Sequence, residues 1–177
     1  VILSKRLNIE RLPLKKELSA IYDFPVYVVN DLNAALFMEQ NKGTAKDLHS
    51  AIYMLISQGT GASILFSNQF HQGKYGQEGT ITDFYFYTTH MLANHLITLN
   101  EKWRHGYESE EIIRQFLTLA YSGNGRLLKE VHMIQEKIAS NCSLLLQFLD
   151  VDKLIFHGWI TDNQLFFNDL KQKIHTY

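Results

Sequence analysis

The sequence predicts an α/β domain built on a mixed β-sheet with flanking helices. Three observations support this fold class. Runs rich in β-branched and aromatic residues occur in the first half of the chain and again near its end. Stretches with apolar residues at helical spacing lie between and after them, and 46% of the 177 residues are hydrophobic, which is enough to bury a core. Strands and helices mixed along one chain are typical of α/β architecture.

The first predicted elements are a helix, a strand and a second helix. Apolar residues at helical spacing after Pro13 predict a helix from Leu14 to Tyr22, since proline is favoured at helix starts. The β-branched and aromatic run Val26–Val29 predicts a strand. Asn30-Asp31 is a good capping pair and predicts the start of a helix from Leu32 to Gln40.

A hairpin region follows. The nearly continuous apolar run from Ala51 to Ser57 is typical of a buried strand. Gly59-Thr60-Gly61 then predicts a sharp turn into a returning strand, Ala62 to Phe66. Ser67-Asn68 predicts the next turn, and Gln69 to His71 a further short strand.

The rest of the chain is mainly helical. The remaining predicted elements are helices at Met91–Leu99, Ser109–Ala120, Arg126–Leu149 and Asn163–Ile174, a strand at Asp152–Phe156 and a turn at Gly158. The apolar face predicted for the longest helix comprises Leu127, Leu128, Val131, Ile134, Ile138, Leu145 and Phe148. The four methionines are expected to fill the core.

Composition excludes several classes of function. The formal net charge of −1 gives no positive field for nucleic acid, so DNA binding by this segment itself is not expected. The single cysteine, Cys142, is expected to be buried and cannot build a disulfide framework or a Cys-rich zinc site. No apolar run approaches the ~20 residues of a membrane span, so we expect a cytoplasmic protein without a membrane partner. The chain opens on Val1, from which we expect a fragment of a longer protein.

Asn30 and Asp31 are the leading candidates for a functional site. They follow a predicted strand and begin a helix, and ligands of open α/β sheets bind beyond the carboxyl ends of the strands. A carboxylate there could accept a sugar hydroxyl proton as the general base of a phosphoryl transfer. Helix capping alone would also account for both residues.

Two glycine-containing segments could also contact a ligand. Gly59-Thr60-Gly61 would bring backbone N–H groups and a hydroxyl close to a phosphate, although any tight hairpin also needs glycines. The loop from Gly73 to Gly79 holds three glycines and could close on a ligand or only connect the hairpin to the helices. The eight histidines include no H-E-x-x-H and no Cys/His cluster, so we expect no metal site.

Taken in order, these motifs resemble the ROK family (repressor, open reading frame, kinase). The segment Pro25–Ala35 reads P-V-Y-V-V-N-D-L-N-A-A and is similar to the family's P-V-x-V-x-N-D-x-N-A-A. Gly59-Thr60-Gly61 matches the family's G-T-G. Its Y-x-G-x-x-G stretch is matched by Phe70-His71-Gln72-Gly73 with Gly76, and its late glycine turn by Asp152–Gly158. The resemblance covers nearly the whole chain.

The resemblance implies an actin-like ATPase lobe of ribonuclease H-like fold, with sugar bound in a cleft between two lobes. It implies that Asp31 is the catalytic base, that Asn30 and Asp31 hold the sugar, and that Gly59-Thr60-Gly61 faces the nucleotide phosphates. Many members are regulators with an N-terminal helix-turn-helix domain, and homodimers are common. We therefore expect residues 1–177 to form a single C-terminal lobe, with the N-terminal lobe and any helix-turn-helix absent from this chain.

Several family features are missing. In the family's G-x-x-G-x-x-G-E-I-G-H stretch the Glu binds sugar and the His binds zinc. The residues aligned with them here are Thr80 and Asp83. Glu78, two residues before Thr80, would be the substitute for the sugar-binding Glu. The Cys-rich zinc segment and the D-x-G-x-T phosphate loop are absent as well. We expect no zinc and no sugar phosphorylation by this chain alone. ATP and Mg²⁺ would be cofactors only of a full-length kinase.

Two functions follow from the resemblance. The first is the effector-binding domain of a sugar-responsive transcriptional regulator, which tolerates the loss of catalytic residues. Its ligand would be a sugar or sugar phosphate, its assembly a homodimer, and DNA would bind only through a missing N-terminal domain. The alternative is the C-terminal lobe of an ATP-dependent kinase that phosphorylates a hexose or N-acetyl-hexosamine hydroxyl. An α/β interaction domain without a ligand is the third alternative.

Overall fold

The chain begins with a small antiparallel sheet followed by a helix. The computed structural model describes residues 2–4, 9–73, 79, 81, 87–104 and 107–176. Strand β1 (Ile2–Ser4) pairs with β2 (Ile9–Leu12), and helix α1 (Leu14–Ile21) begins directly after Pro13, as predicted. No residue of α1 is fully buried, so this helix lies on the surface of the described chain.

The strand predicted at Val26–Val29 is not formed. The segment pairs with no strand of the described residues, and Tyr27 and Val29 are 80% and 68% exposed. Strand propensity reflects how well a side chain packs on a half-buried sheet surface. A β-branched run without a neighbouring strand therefore has no ladder to join, whatever its composition.

Helix α2 (Asp31–Lys42) covers one face of the main sheet. Asn30 is its N-cap and Gly43 its C-cap, which confirms the predicted helix and extends it by two residues at the C-terminal end. Leu36 is fully buried and forms a smaller core with Tyr53 and Leu65 of the sheet.

A four-stranded mixed sheet forms the centre of the fold. Its strands are β3 (Ala51–Ile56), β4 (Thr60–Phe66), β5 (Gln69–Phe70) and β6 (Lys153–Gly158), in the order β5-β4-β3-β6. Strand β3 is antiparallel to β4 and parallel to β6. The mixed sheet predicted from the sequence is therefore confirmed.

The hairpin between β3 and β4 turns earlier than predicted. The Ser57 N–H donates to the Gly59 carbonyl at 2.9 Å, so the turn occupies residues 57–59, and Thr60 and Gly61 already belong to β4. Thr60 pairs with Ile56, and a β-branched residue extends a ladder readily. The next predicted turn, Ser67-Asn68, is confirmed. Both of its residues have positive φ, as a type I′ hairpin turn requires.

Four helices cover the other face of the sheet. They are α3 (Thr89–Leu99), α4 (Ser109–Tyr121), α5 (Gly125–Leu149) and α6 (Gln164–Thr176), each within two residues of its predicted bounds. Their buried side chains form the larger core with Ile52, Met54 and Ile56 of β3. Two short 3-10 helices, Glu101–Arg104 and Trp159–Thr161, follow α3 and β6.

Burial along α5 departs from the predicted face at its C-terminal end. Val131, Ile134 and Ile138 are buried as predicted, but Phe148 is 83% exposed. A helix advances ~100° per residue, so Phe148 lies about 120° around the helix axis from the buried Cys142. Burial of Cys142 was expected, and it raises the pKa of the thiol to about 12.

Three of the four methionines are not core residues, contrary to the prediction. Met54 of β3 is fully buried, whereas Met38, Met91 and Met133 are each about half exposed. All three lie on helices, at positions that the sheet does not cover. The side of the helix, and not the residue type, therefore decides their burial.

A carboxylate joins the starts of β3 and β6. Asp152 accepts hydrogen bonds from the Ser50 hydroxyl at 2.8 Å, the Ser50 N–H at 2.9 Å and the His49 N–H at 3.2 Å. The bond from the Ser50 hydroxyl, together with the two N–H groups, holds the pKa of the Asp152 carboxyl below its usual range.

Asp152 is therefore expected to contribute stability that depends on pH. Because its pKa is lower in the folded than in the unfolded chain, the contribution is fully present above the unfolded pKa of about 3.9 and is lost as the pH falls through the folded pKa. We expect Asp152→Asn to lower the urea midpoint near neutral pH, with a gap from the wild type that shrinks as the pH falls below about 4. Urea titrations of both proteins across this range measure the gap, and a gap that does not change with pH would contradict the prediction.

Candidate functional site

The first turn of α2 presents two polar side chains at the surface. The Asn30 side-chain oxygen accepts hydrogen bonds from the N–H groups of Leu32 at 2.9 Å and Asn33 at 3.1 Å. Asp31 Oδ1 accepts from the Leu32 N–H at 2.9 Å. The capping role predicted for this pair is therefore present. Within the described part of the chain, the Asn30 amide nitrogen and Asp31 Oδ2 have no hydrogen-bond partner, so both are available to a ligand.

Strand β4 lies directly against this turn. The Ser63 hydroxyl donates to the Asn33 side-chain oxygen, and Ser63 is only 2% exposed. A Cβ placed on Gly61 would lie 2.7 Å from Leu32 Cδ1, so the end of the Leu32 side chain lies directly over Gly61. The structure thus places Leu32, the residue after Asp31, against Gly61 of Gly59-Thr60-Gly61.

The three residues of Gly59-Thr60-Gly61 do not face the same side. Side chains alternate along a strand, so Thr60 lies on the face of Ala62, which packs in the larger core, and Gly61 lies on the face of α2. The Thr60 hydroxyl is buried without a hydrogen-bond partner among the described residues. Gly59 borders open space. A phosphate at this hairpin would therefore meet Gly59 and backbone groups before it met the Thr60 hydroxyl.

The glycine-rich loop returns to β4 at Gly79. The Gly79 carbonyl accepts a hydrogen bond from the Ala62 N–H at 2.7 Å, and Gly79 has a φ of +72°. A Cβ there would lie 1.6 Å from the Ala62 carbonyl oxygen, so no other residue fits. Glu78, Gly76, Thr80 and Asp83 lie outside the described residues, and what was expected of them stays a prediction.

The described residues do not provide the zinc site that other members of the resembled family carry. No group of three or more His, Cys, Asp or Glu side chains in the described ranges could hold a metal ion. Cys142 is buried in α5, and burial raises the pKa of its thiol to about 12, which disfavours the thiolate that zinc requires. The absence of zinc stays a prediction, because Asp83 is not described.

The Ser63–Asn33 contact was not predicted. Asn33 belongs to the N-D-L-N-A-A segment, and Ser63 is the polar residue inside the apolar run A-S-I-L-F. A polar residue in a strand that is otherwise buried needs a partner, which is the signal that could have drawn attention to it. The identity of that partner, 30 residues away, depends on the packing of α2 on β4.

Comparison with known proteins supports the family resemblance. The sequence model of the ROK family matches residues 1–85. Over 79 residues, or 45% of this chain and 21% of its relative, the sequence is 29% identical to the xylose repressor of Bacillus subtilis. Over 170 residues, or 90% of this chain and 55% of its relative, it is 24% identical to the fructokinase of Pediococcus pentosaceus. The chain thus spans about a fifth of the first relative and about half of the second.

Solved structures of both functional kinds share the fold. The ROK hexokinase from Thermus thermophilus superposes with a TM-score of 0.75 at 18% identity, over 94% of this chain and 62% of that chain. A ROK family transcriptional regulator, a homolog of the E. coli MLC protein, superposes with a TM-score of 0.76 at 16% identity, over 96% of this chain and 48% of that chain. No helix of the described residues is long and apolar enough to cross a membrane. The chain thus matches the ROK family model over residues 1–85, and its described part has the actin-like ATPase fold of the ROK sugar kinases and regulators.

Proposed function

We propose that this chain is the effector-binding part of a sugar-responsive ROK-type transcriptional regulator. A sugar or sugar phosphate binds at the first turn of α2, where hydroxyl groups of the ligand meet the Asn30 amide and Asp31 Oδ2. The observation that carries the proposal is the placement of these two polar groups on the first turn of α2, which packs against β4 through Leu32 and Asn33. Glu78 is a further proposed contact of the sugar.

Two observations favour a regulator over an enzyme. The Thr60 hydroxyl is buried on the far face of β4, so it is not exposed to a nucleotide phosphate at the hairpin. Xylose repressors are among the relatives, and each of two matches 45% of this chain. In this proposal the protein is cytoplasmic and homodimeric, and it binds DNA only through a domain outside this chain, because the segment itself has a net charge of −1.

The alternative function is that of an ATP-dependent sugar kinase, and the similarity to fructokinase over 90% of the chain favours it. Asp31 would then accept the proton of the attacking sugar hydroxyl, and Asn30 would orient the sugar. Gly59 and the neighbouring backbone would approach the phosphates of ATP, which with Mg²⁺ would be the cofactor. Sugar-dependent consumption of ATP that is lost in Asp31→Asn would establish this alternative over the regulator.

The proposed site predicts a sugar-dependent gain in thermal stability that depends on Asp31. A ligand at 100 times its dissociation constant that binds only the folded state adds about 2.7 kcal/mol, or roughly 5–10 °C in Tm for a chain of this size. Differential scanning fluorimetry against pentoses, hexoses, N-acetyl-hexosamines and their phosphates is expected to find such a ligand. Asp31→Asn is expected to abolish the shift.

The matched control is Asp47→Asn. Asp47 is an exposed carboxylate beyond the opposite end of α2, and its φ of +64° is one that asparagine tolerates. This variant should keep the full shift. A shift that survives in Asp31→Asn, or the absence of a shift from every sugar tested, would count against the proposed site.

A further inference from the structure

Strand β4 carries a buried hydroxyl whose partner is on the site-bearing helix. Ser63 is 2% exposed, and its hydroxyl donates to the Asn33 side-chain oxygen. A buried polar group without a partner is costly, so each of these side chains constrains the other. The bond therefore connects β4 to the first turn of α2 and fixes the rotation of the helix about its own axis.

Asn33 is also hydrogen-bonded to Asn30, the residue that caps the helix. Its N–H donates to the Asn30 side-chain oxygen at 3.1 Å, and the Asn30 carbonyl accepts the first helical bond, from the Ala34 N–H at 3.0 Å. A rotation of α2 about its axis would therefore move both groups that the ligand needs, the Asn30 amide and Asp31 Oδ2.

The close approach of Gly61 and Leu32 adds a second constraint two residues away on the same strand. The end of the Leu32 side chain lies over Gly61, so an added carbon at residue 61 would displace that side chain. Ser63 sets the direction in which the helix faces. The Ser63 hydroxyl occupies one of the two acceptor positions of the Asn33 side-chain oxygen.

We propose that Ser63 and Asn33 are positioning residues of the sugar site, which fix the orientation of Asn30 and Asp31 without touching the sugar. The inference rests on the proposed function, because it assigns these residues to the same site. It makes β4 the element that links the site-bearing helix to the hairpin at Gly59.

The test compares Ser63→Ala with Ser143→Ala in the full protein. Ser143 is also a buried serine, but it lies on α5 and its hydroxyl accepts from Gln147, so its loss removes a buried hydroxyl away from α2. For the sugar identified by thermal shift, we expect Ser63→Ala to raise the dissociation constant on the order of tenfold. Ser143→Ala should leave it within about twofold.

Hydrogen exchange provides a readout that needs no sugar. In Ser63→Ala the amides of Leu32 and Asn33 should exchange on the order of tenfold faster, while those of the β3–β4 ladder keep their wild-type rates. Ser63→Ala combined with Asn33→Ala should weaken sugar binding no more than the stronger single variant, because both remove one bond. Uniformly faster exchange, or additive losses of affinity, would assign Ser63 a general structural role and overturn the inference.

The outcomes separate this inference from the proposed function. If the wild-type protein binds no sugar, this result contradicts the proposed function and, with it, the inference about Ser63. If the wild-type protein and Ser63→Ala bind a sugar with the same affinity, the proposed function stands and only the inference about Ser63 is overturned.

Discussion

Replacing Gly158 with alanine is expected to destabilise the protein by on the order of 4 kcal/mol, or roughly 8–16 °C in Tm. Gly158 ends β6 with a φ of +106° and a ψ of −165°, a region that essentially only glycine occupies. A Cβ there would lie 2.0 Å from the Ile56 carbonyl oxygen, which belongs to the neighbouring strand. The variant must therefore separate β3 from β6 where the two strands end.

Gly123→Ala is the matched control for this effect. Gly123 has almost the same φ, +108°, but nothing lies within 4 Å of the position that its Cβ would take. This substitution should lower the free energy of unfolding by about 1–2 kcal/mol, which is the strain of the backbone conformation alone. Urea unfolding of both variants measures the difference, which isolates the collision with β3. Equal losses would mean that the strands accommodate the added methyl group without separating.

Phe116→Ala is expected to cost about 3–5 kcal/mol of unfolding free energy. Phe116 lies in α4, is fully buried and packs edge-on against Trp103, with ring centroids 6.5 Å apart. Removal of its ring leaves a cavity in the larger core, and the surrounding helices are held by their own contacts and cannot fully close it.

Phe148→Ala removes the same side chain from a position that is 83% exposed. It should change the unfolding free energy by no more than about 0.5 kcal/mol. Chemical denaturation of both variants gives the comparison. A loss in Phe148→Ala comparable to that in Phe116→Ala would mean that Phe148 is covered in solution.

The fold was largely predictable because most elements carry their own local signal. The apolar run of β3, the cap at Asn30 and the periodicity of α3 to α6 each reflect a preference that packing reinforces. The strand predicted at Val26–Val29 was wrong because strand formation depends on a partner. The predicted burial of Phe148 was wrong because this residue lies on a different side of α5 from the buried residues.

The candidate site was predictable only in part. Sequence order and the family resemblance pointed to Asn30-Asp31 and Gly59-Thr60-Gly61, and the structure places Leu32 against Gly61. That Thr60 faces the opposite side could not be predicted, because the turn had been placed on Thr60 and not before it. The Ser63–Asn33 bond depends on tertiary packing, which local patterns do not report.

The unpaired segment Val26–Val29 has a consequence for how the protein behaves in concentrated solution. Four consecutive β-branched or aromatic residues, without a charge and largely exposed, offer unused backbone donors and acceptors to any neighbouring chain. Short uncharged stretches of high β-propensity are the sequences from which intermolecular β-sheets grow. We therefore expect self-association through this stretch, and we expect it to become stronger as the protein concentration rises.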